Sequence, residues 1–332
     1  MKNNLKAILP LFGAETWSVG MVPEHEGGRN SVFIIENAEG EKRVLRISML
    51  EDRTEEDYLA ETEFIHYLAD NGASVADVIP SVNGRFVEHI GGLFASLFEY
   101  APGMLIFDNG YRYRDGAPLE EYFFLTGKTL GKIHALSKKY QPVHRRPQYF
   151  DKYNMAYIDR LIPDSYAELK HAISSRLEAF HSLPQDNDSY GTVHFDYSDG
   201  NYHIDMDTGR ITVFDFDNCI NCWYMFDLAN LWTHGEGWFY HIEDGRERAK
   251  GMQRYFDTIL AGYRTETDVA EEMLDKLPLF IDMVLIENIV DEFECCERAG
   301  EPLEYEDIED AAECLMYSIP YAGILGQIWE KE

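Results

Sequence analysis

His194-Phe195-Asp196-Tyr197-Ser198-Asp199-Gly200-Asn201 is followed, fourteen residues after Asn201, by Asp215 in Val213-Phe214-Asp215-Phe216-Asp217. Between the two lie Tyr202–Asp205 and Ile211–Phe214, which read as short strands around an Asp207-Thr208-Gly209 turn. The hairpin they form returns Asp215 to the neighbourhood of Asn201. A short loop thus carries a carboxylate, Asp196, and an amide, Asn201, and the neighbouring strand brings back a second carboxylate. Phosphoryl transfer needs that set: one carboxylate to accept or orient an attacking hydroxyl, and oxygen ligands for a Mg2+ that neutralises phosphate charge.

Outward from this stretch, the first hundred residues are strand-rich. Ser31–Glu36 and Arg43–Ser48 are apolar, β-branched runs separated by an Asn37-Ala38-Glu39-Gly40 turn. Before them, Glu26-Gly27-Gly28-Arg29-Asn30 is a glycine loop leading into a strand, where backbone amides can approach phosphates closely. Thr54–Asp70 predicts a helix capped by Thr54 and closed near Gly72. Its apolar face holds Tyr58, Ile65 and Leu68, and Glu61 falls on that same face, with Glu63 on the other side. A carboxylate on an inward stripe needs a partner. In a kinase-like lobe that partner is the basic residue of the third strand, here Arg46 in Val44-Leu45-Arg46-Ile47; the alternative is that Glu61 snorkels at the edge of the face.

Leu93–Tyr100 is another strand, and Phe98-Glu99-Tyr100-Ala101-Pro102-Gly103 ends it at a Pro-Gly turn. That turn is the expected hinge, with residues 1–100 a nucleotide-binding lobe and 101–332 a catalytic and substrate-binding lobe. The backbone at Glu99 and Tyr100 is placed to meet an adenine. Downstream the pattern is helical: Tyr122–Lys139, a helix opening at Asp227-Leu228-Ala229, then Arg248–Tyr263 and Pro278–Arg298. His134 reads as a core or interface histidine, and Asp227 as a cap or a brace of the catalytic loop.

With 332 residues, 45% of them hydrophobic and 14% aromatic, the chain can build one large or two ordinary cores. No run of about eighteen apolar residues is present, so no membrane span is expected. The N-terminal residues do not read as a signal peptide, and a cytoplasmic location is the expectation. Cys219-x-x-Cys222 and the vicinal Cys295-Cys296 read as buried free thiols, with a zinc site using both pairs as the alternative, which the vicinal spacing disfavours. The balance of 29 basic against 60 acidic residues, a net −31, disfavours nucleic acid as a partner. It suits a cationic substrate instead. Glu287, Asp291 and Glu294, at i, i+4, i+7 on one helix face, are candidate substrate residues, with a solvated acidic face as the alternative.

Taken together, Gly27-Gly28 with Asn30, Arg46, Glu61, the Phe98–Gly103 hinge, Leu130–Leu136, His194–Asn201, Val213–Asp217 and Asp227-Leu228-Ala229 resemble the aminoglycoside phosphotransferase-like kinases. That group includes choline kinases and type II homoserine kinases. The resemblance implies an α+β, bilobal, protein-kinase-like fold: a small antiparallel-sheet lobe with one helix, a larger helical lobe, and ATP between them. It implies transfer of the γ-phosphoryl group to a small-molecule hydroxyl, with ATP and Mg2+ as cofactors. Asp196 matches the catalytic carboxylate, Asn201 and Asp215 the Mg2+ ligands, and Arg46 with Glu61 the phosphate-binding ion pair. His194 matches a brace of the loop. Two departures stand out. Arg46 replaces the usual lysine, a planar fork in place of a point charge. Phe195 replaces the glycine of His-Gly-Asp, a strained choice if that position requires a positive φ. A stress-type Ser/Thr protein kinase and a nucleotide-binding pseudokinase are the alternatives. The short interval between Asp217 and Asp227 favours a small acceptor over a protein.

Overall fold

A computed structural model describes residues 2–22, 30–48, 53–319 and 321. In chain order the main elements are α1 (Lys2–Ile8), β1 (Ser18–Met21), β2 (Asn30–Glu36), β3 (Lys42–Ser48), α2 (Glu55–Asp70), β4 (Val78–Ile79), β5 (Glu88–Ile90) and β6 (Leu93–Glu99). Then follow α3 (Leu119–Ser137), α4 (Tyr149–Lys152), α5 (Met155–Leu161), α6 (Ala167–Phe180), β7 (Tyr190–Val193), β8 (Tyr202–Ile204), β9 (Ile211–Val213) and β10 (Ile220–Trp223). The chain closes with α7 (Met225–Phe239), α8 (Gly245–Tyr263), α9 (Glu271–Leu274), α10 (Leu277–Ala299) and α11 (Glu309–Tyr317). They form two compact units. One comprises residues 1–115, 139–146 and 199–217; the other comprises 116–138, 147–198 and 218–332.

The first unit is built on an antiparallel sheet ordered β1-β2-β3-β6-β4, with β5 also paired to β6. Alternation along the strands sorts its two faces. Phe33, Ile35, Leu45, Ile47, Leu93, Ala95 and Leu97 form one core with Ile8 and Leu9. Arg46, one residue out of step with Leu45 and Ile47, belongs to the opposite set. Helix α2 carries the predicted Thr54 cap as a reciprocal box: the Asp57 amide donates to the Thr54 hydroxyl, and the Thr54 amide to the Asp57 carboxylate. The β8–β9 hairpin pairs Tyr202 with Val213, and its turn closes at Gly209 with φ +77°. The segment after β6 is pinned to this hairpin. Met104 bridges Ile204, and His203 Nδ1 donates to the Ala101 carbonyl at 2.7 Å. A Cβ on Gly103 (φ +92°) would lie 2.0 Å from the Ile204 carbonyl oxygen, so both sterics and dihedral demand glycine there.

The second unit is mainly helical, with a two-stranded β7–β10 ladder. Its closest helix pair is α3 with α8. A side chain at Gly127 would meet the Ile259 carbonyl oxygen at 1.9 Å, so the two backbones touch where α3 lacks a Cβ. Helices α7 and α10 complete the core, with Phe280, Val284, Leu285 and Ile289 of α10 buried. The five cysteines are free, with Cys219, Cys222 and Cys314 buried. Among the described residues no helix is long and apolar enough to cross a membrane.

Candidate active site

In the sheet unit, Arg46 and Glu61 form a bidentate pair. Nη1 donates to Oε1 at 2.7 Å and Nη2 to Oε2 at 2.6 Å, both side chains buried. The inward-facing carboxylate of α2 is thus matched by the inward-facing cation of β3. Burial pulls the Arg46 guanidinium down, but Glu61, then Asp217 and Asp215, outweigh it and hold its pKa above the ordinary value. Arg46 Nη1 also lies 4.0 Å from the Asp215 carboxylate, which is about half exposed at 49%. Three predicted site residues from three elements therefore meet here.

Asn201 is held to this cluster through its backbone. Its carbonyl accepts the Phe214 amide at 2.9 Å, beside Asp215. Asp215 itself has φ +61°, a left-handed conformation that tilts it out of the strand direction. Phe216 packs edge-on against Phe64 of α2 at 6.1 Å between ring centroids. Asn30 is committed inside the protein: its amide donates to Asp217 at 3.0 Å and its oxygen accepts from Ser48 at 2.6 Å. At the end of β6, Glu99 is exposed and its amide donates to the Asp77 carbonyl. Tyr100 is partly exposed, with Lys42 5.6 Å above its ring. Gly27 and Gly28 lie outside the described residues.

Asp196 belongs to the helical unit; the boundary between units falls between Ser198 and Asp199, inside the loop. The loop is fixed from below by Asp227, fully buried in the first turn of α7. One Asp227 oxygen accepts the Phe195 amide and the other the His194 amide, each at 2.9 Å. Asp227 is therefore a brace and not a helix cap. Behind it stands His134, fully buried, with Nε2 3.1 Å from Asp227 and Nδ1 3.0 Å from the Tyr263 hydroxyl. Burial lowers the His134 pKa more than Asp227 raises it, so the ring is neutral. Facing a carboxylate, Nε2 carries the proton, and Nδ1 accepts from Tyr263. The histidine expected in the core is there, and it also links Tyr263 to Asp227 in a chain of hydrogen bonds under the His194–Asn201 loop. In the loop itself, the Asp196 amide donates to His194 Nδ1 at 3.3 Å.

Phe195 has φ +71°, so the position that prefers glycine is left-handed here too. Its strain is offset by the Asp227 bond and by stacking on Phe226, with centroids 4.1 Å apart and planes 8° apart. Removing the ring should cost roughly 3–5 kcal/mol, as for other buried phenylalanines. Phe195→Gly should nevertheless be more stable than Phe195→Ala by roughly 1 kcal/mol, because only alanine keeps the left-handed penalty. Denaturant midpoints of the two variants check this; equal midpoints would show a strain-free backbone.

On α10, Glu294 is buried and engaged. Lys152 lies 3.0 Å away, and Tyr157 donates to it through a short hydrogen bond. Glu287 and Asp291 are partly exposed. Burial, and then the three carboxylates of this face, push the stacked Tyr153 hydroxyl far above its usual range.

Sequence reasoning missed the support around these residues. Arg53 and Arg146 both donate to the Asp217 carbonyl, Arg146 at 2.7 Å. Residues 140–144 bond to Glu63. Neither has a periodic signal. The basic run at Arg145-Arg146 beside an acidic helix start was the one available hint.

Comparison with known proteins bears on the fold and the family. Amicoumacin kinase of Bacillus subtilis (strain 168) is 26% identical over 246 residues, 72% of this chain and 70% of that protein. The structure of amicoumacin kinase hAmiN in complex with AMP-PNP, Ca2+ and Ami superposes with a TM-score of 0.81 at 22% identity, covering 98% of this chain and 96% of that one. Spectinomycin phosphotransferase APH(9)-Ia, in complex with ADP and spectinomycin, superposes with a TM-score of 0.57 at 11% identity, covering 95% and 98%. The expected fold, an antiparallel-sheet region followed by a helical one, is the fold of these kinases. Residues 22–267 match the family described as the phosphotransferase enzyme family, and the chain belongs to it.

Proposed function

We propose that this phosphotransferase moves the γ-phosphoryl group of ATP to a hydroxyl of a small molecule, with Mg2+ as the metal and the cytoplasm as its place of work. The observation that carries the reading is the buried Arg46–Glu61 pair with the Asp215 carboxylate 4.0 Å from Arg46. A cation held rigidly beside a half-exposed carboxylate is what a metal–triphosphate complex requires. Residues 1–100 supply the nucleotide side and residues 101–332 the acceptor side. Arg46 contacts phosphate oxygens, and Glu61 fixes its fork. The Glu99–Tyr100 backbone meets the adenine, and Gly27, Gly28 and Asn30 serve the phosphates.

The donor set fits a hard cation. Asn201 and Asp215 offer only oxygen, and the described residues contain no group of three or more His, Cys, Asp or Glu arranged around a metal. Phosphate oxygens complete such a site, as is usual for Mg2+. Bound there, the cation neutralises charge on the phosphates. Asp196 orients the acceptor hydroxyl and takes its proton. His194, Asp227, His134 and Tyr263 hold the loop that presents it.

For the acceptor, Glu287 and Asp291 favour a molecule with a cationic group. Glu294 supports that face from within, since Lys152 and Tyr157 occupy it. The relatives named for amicoumacin and spectinomycin support a small-molecule acceptor.

The test is acceptor-dependent ADP release against pools of alcohols, amino alcohols and aminoglycosides. Calorimetric titration of ATP with and without Mg2+ goes with it. Wild type should bind ATP more tightly with Mg2+. Asp215→Ala should lose that gain and Asn201→Ala only part of it, because only Asp215 contributes charge. An unchanged metal dependence in Asp215→Ala, or ADP release that no acceptor stimulates, overturns the assignment.

A further inference from the structure

Arg146 follows α3 by nine residues and carries out no step proposed above, yet it is buried and its guanidinium joins distant parts of the sheet unit. Nη2 donates to the Asp217 carbonyl at 2.7 Å, and Nη1 to the Asp57 carbonyl at 3.1 Å. The Asp57 carboxylate lies 3.9 Å from Nη1. One planar fork therefore ties the first turn of α2 to the main chain two residues beyond Asp215. Arg53 donates to the same Asp217 oxygen.

The residues before Arg146 fasten the same helix from outside. Glu63 accepts the Tyr140 hydroxyl at 2.9 Å, the Val143 amide at 2.7 Å and the His144 amide at 2.9 Å. Glu56 accepts from His144 Nδ1 at 2.9 Å and from the Arg145 amide at 3.3 Å. Residues 140–146 thus form a strap along α2 that ends in a clamp on the turn following Asp215.

We infer that Arg146 is a positioning residue for the metal-binding turn, holding Asp215 in its left-handed conformation relative to α2 before nucleotide and metal arrive. Asp215 has φ +61° and a half-exposed carboxylate. The clamp two residues on fixes the backbone there. Glu61 reaches Arg46 from the same helix, so the phosphate-side cation and the metal-side carboxylate share one frame. Lysine cannot replace this arrangement, since an ammonium lacks the fork that reaches two carbonyls in fixed directions. Supporting groups of this kind typically change metal affinity or activity by roughly 10–100-fold when removed.

The inference rests on Asp215 being a metal ligand, and the test separates the two. Binding of a non-hydrolysable ATP analogue is titrated with and without Mg2+ in wild type, Arg146→Ala, Arg146→Lys and Asp215→Ala, with thermal melts of each. Arg146→Ala should keep the metal-free affinity and lose roughly tenfold of the Mg2+-dependent gain. Its half-saturating Mg2+ in turnover should rise in proportion, and Arg146→Lys should lie between it and wild type. A merely structural arginine would lower the melting temperature and leave the gain intact, and that result in either arginine variant overturns the inference. If Asp215→Ala keeps the full gain, the metal assignment falls and takes the inference with it. If Asp215→Ala loses the gain while Arg146→Ala keeps it, the inference alone falls.

Discussion

Asp196→Asn is expected to slow turnover by roughly 10²–10⁴ while leaving ATP binding at its wild-type strength, the range typical of a lost orienting or general-base carboxylate. The side chain is partly exposed, and the loop around it is held by main-chain bonds that the substitution does not touch. The Phe195 and His194 amides go to Asp227, and the Asp196 amide goes to His194. The variant should therefore fold and melt like wild type. Phosphoryl-transfer rate in a single turnover, read beside calorimetric ATP affinity, gives both quantities. A variant that turns over at the wild-type rate removes Asp196 from the chemistry. One that loses ATP binding in parallel places it among the nucleotide ligands.

The second large effect is expected at Glu61. Glu61→Ala leaves the Arg46 guanidinium buried with the Asp215 carboxylate at 4.0 Å and the Phe98 ring at 5.0 Å in place of its two hydrogen bonds. Breaking a buried pair from one side costs about 3–5 kcal/mol, because the remaining charge stays desolvated. Replacing both partners, Arg46→Met with Glu61→Leu, should recover most of that stability, as apolar replacements of buried ion pairs commonly do. The double variant should still use ATP poorly. Arg46→Lys should retain measurable turnover, since an ammonium can reach both Glu61 and a phosphate. Denaturant midpoints and the Michaelis constant for ATP separate fold from function here. If the double variant bound ATP like wild type, the pair would have only a structural role.

Much of the sheet unit can be read from residues alone, because its signals are local. Two β-branched runs around an Asn-Gly-containing turn become β2 and β3, and a threonine cap with an early acidic turn opens α2. Periodicity puts Glu61 on the apolar stripe, where a carboxylate needs a partner, and the kinase-like resemblance names Arg46 as that partner. The hairpin that precedes Asp215 follows from its turn. What stays hidden depends on partners far along the chain. Residues 140–146 look like an ordinary polar linker, and their order comes from backbone amides meeting Glu63 and Glu56 about eighty to ninety positions earlier. The β7–β10 ladder joins strands some thirty residues apart and carries no hairpin turn. Helix α6 escaped for a different reason: only Leu169, Ile173, Leu177 and Phe180 mark its buried face, between polar residues.

Phe195 bears on how such a chain can change over generations. At φ +71°, any residue other than glycine starts with a penalty of about 1–2 kcal/mol. The stacked Phe226 ring, together with Tyr153 at 5.8 Å, is what makes phenylalanine tolerable there. A chain with glycine at this position could accept the large ring only where that aromatic neighbourhood is present. Reversing it now means losing the ring's packing as well as regaining the dihedral freedom. Phe195 and Phe226 should therefore couple in a double-mutant cycle, as contacting positions commonly do by about 0.5–3 kcal/mol. The path into this loop sequence is easier to walk in one direction than in the other.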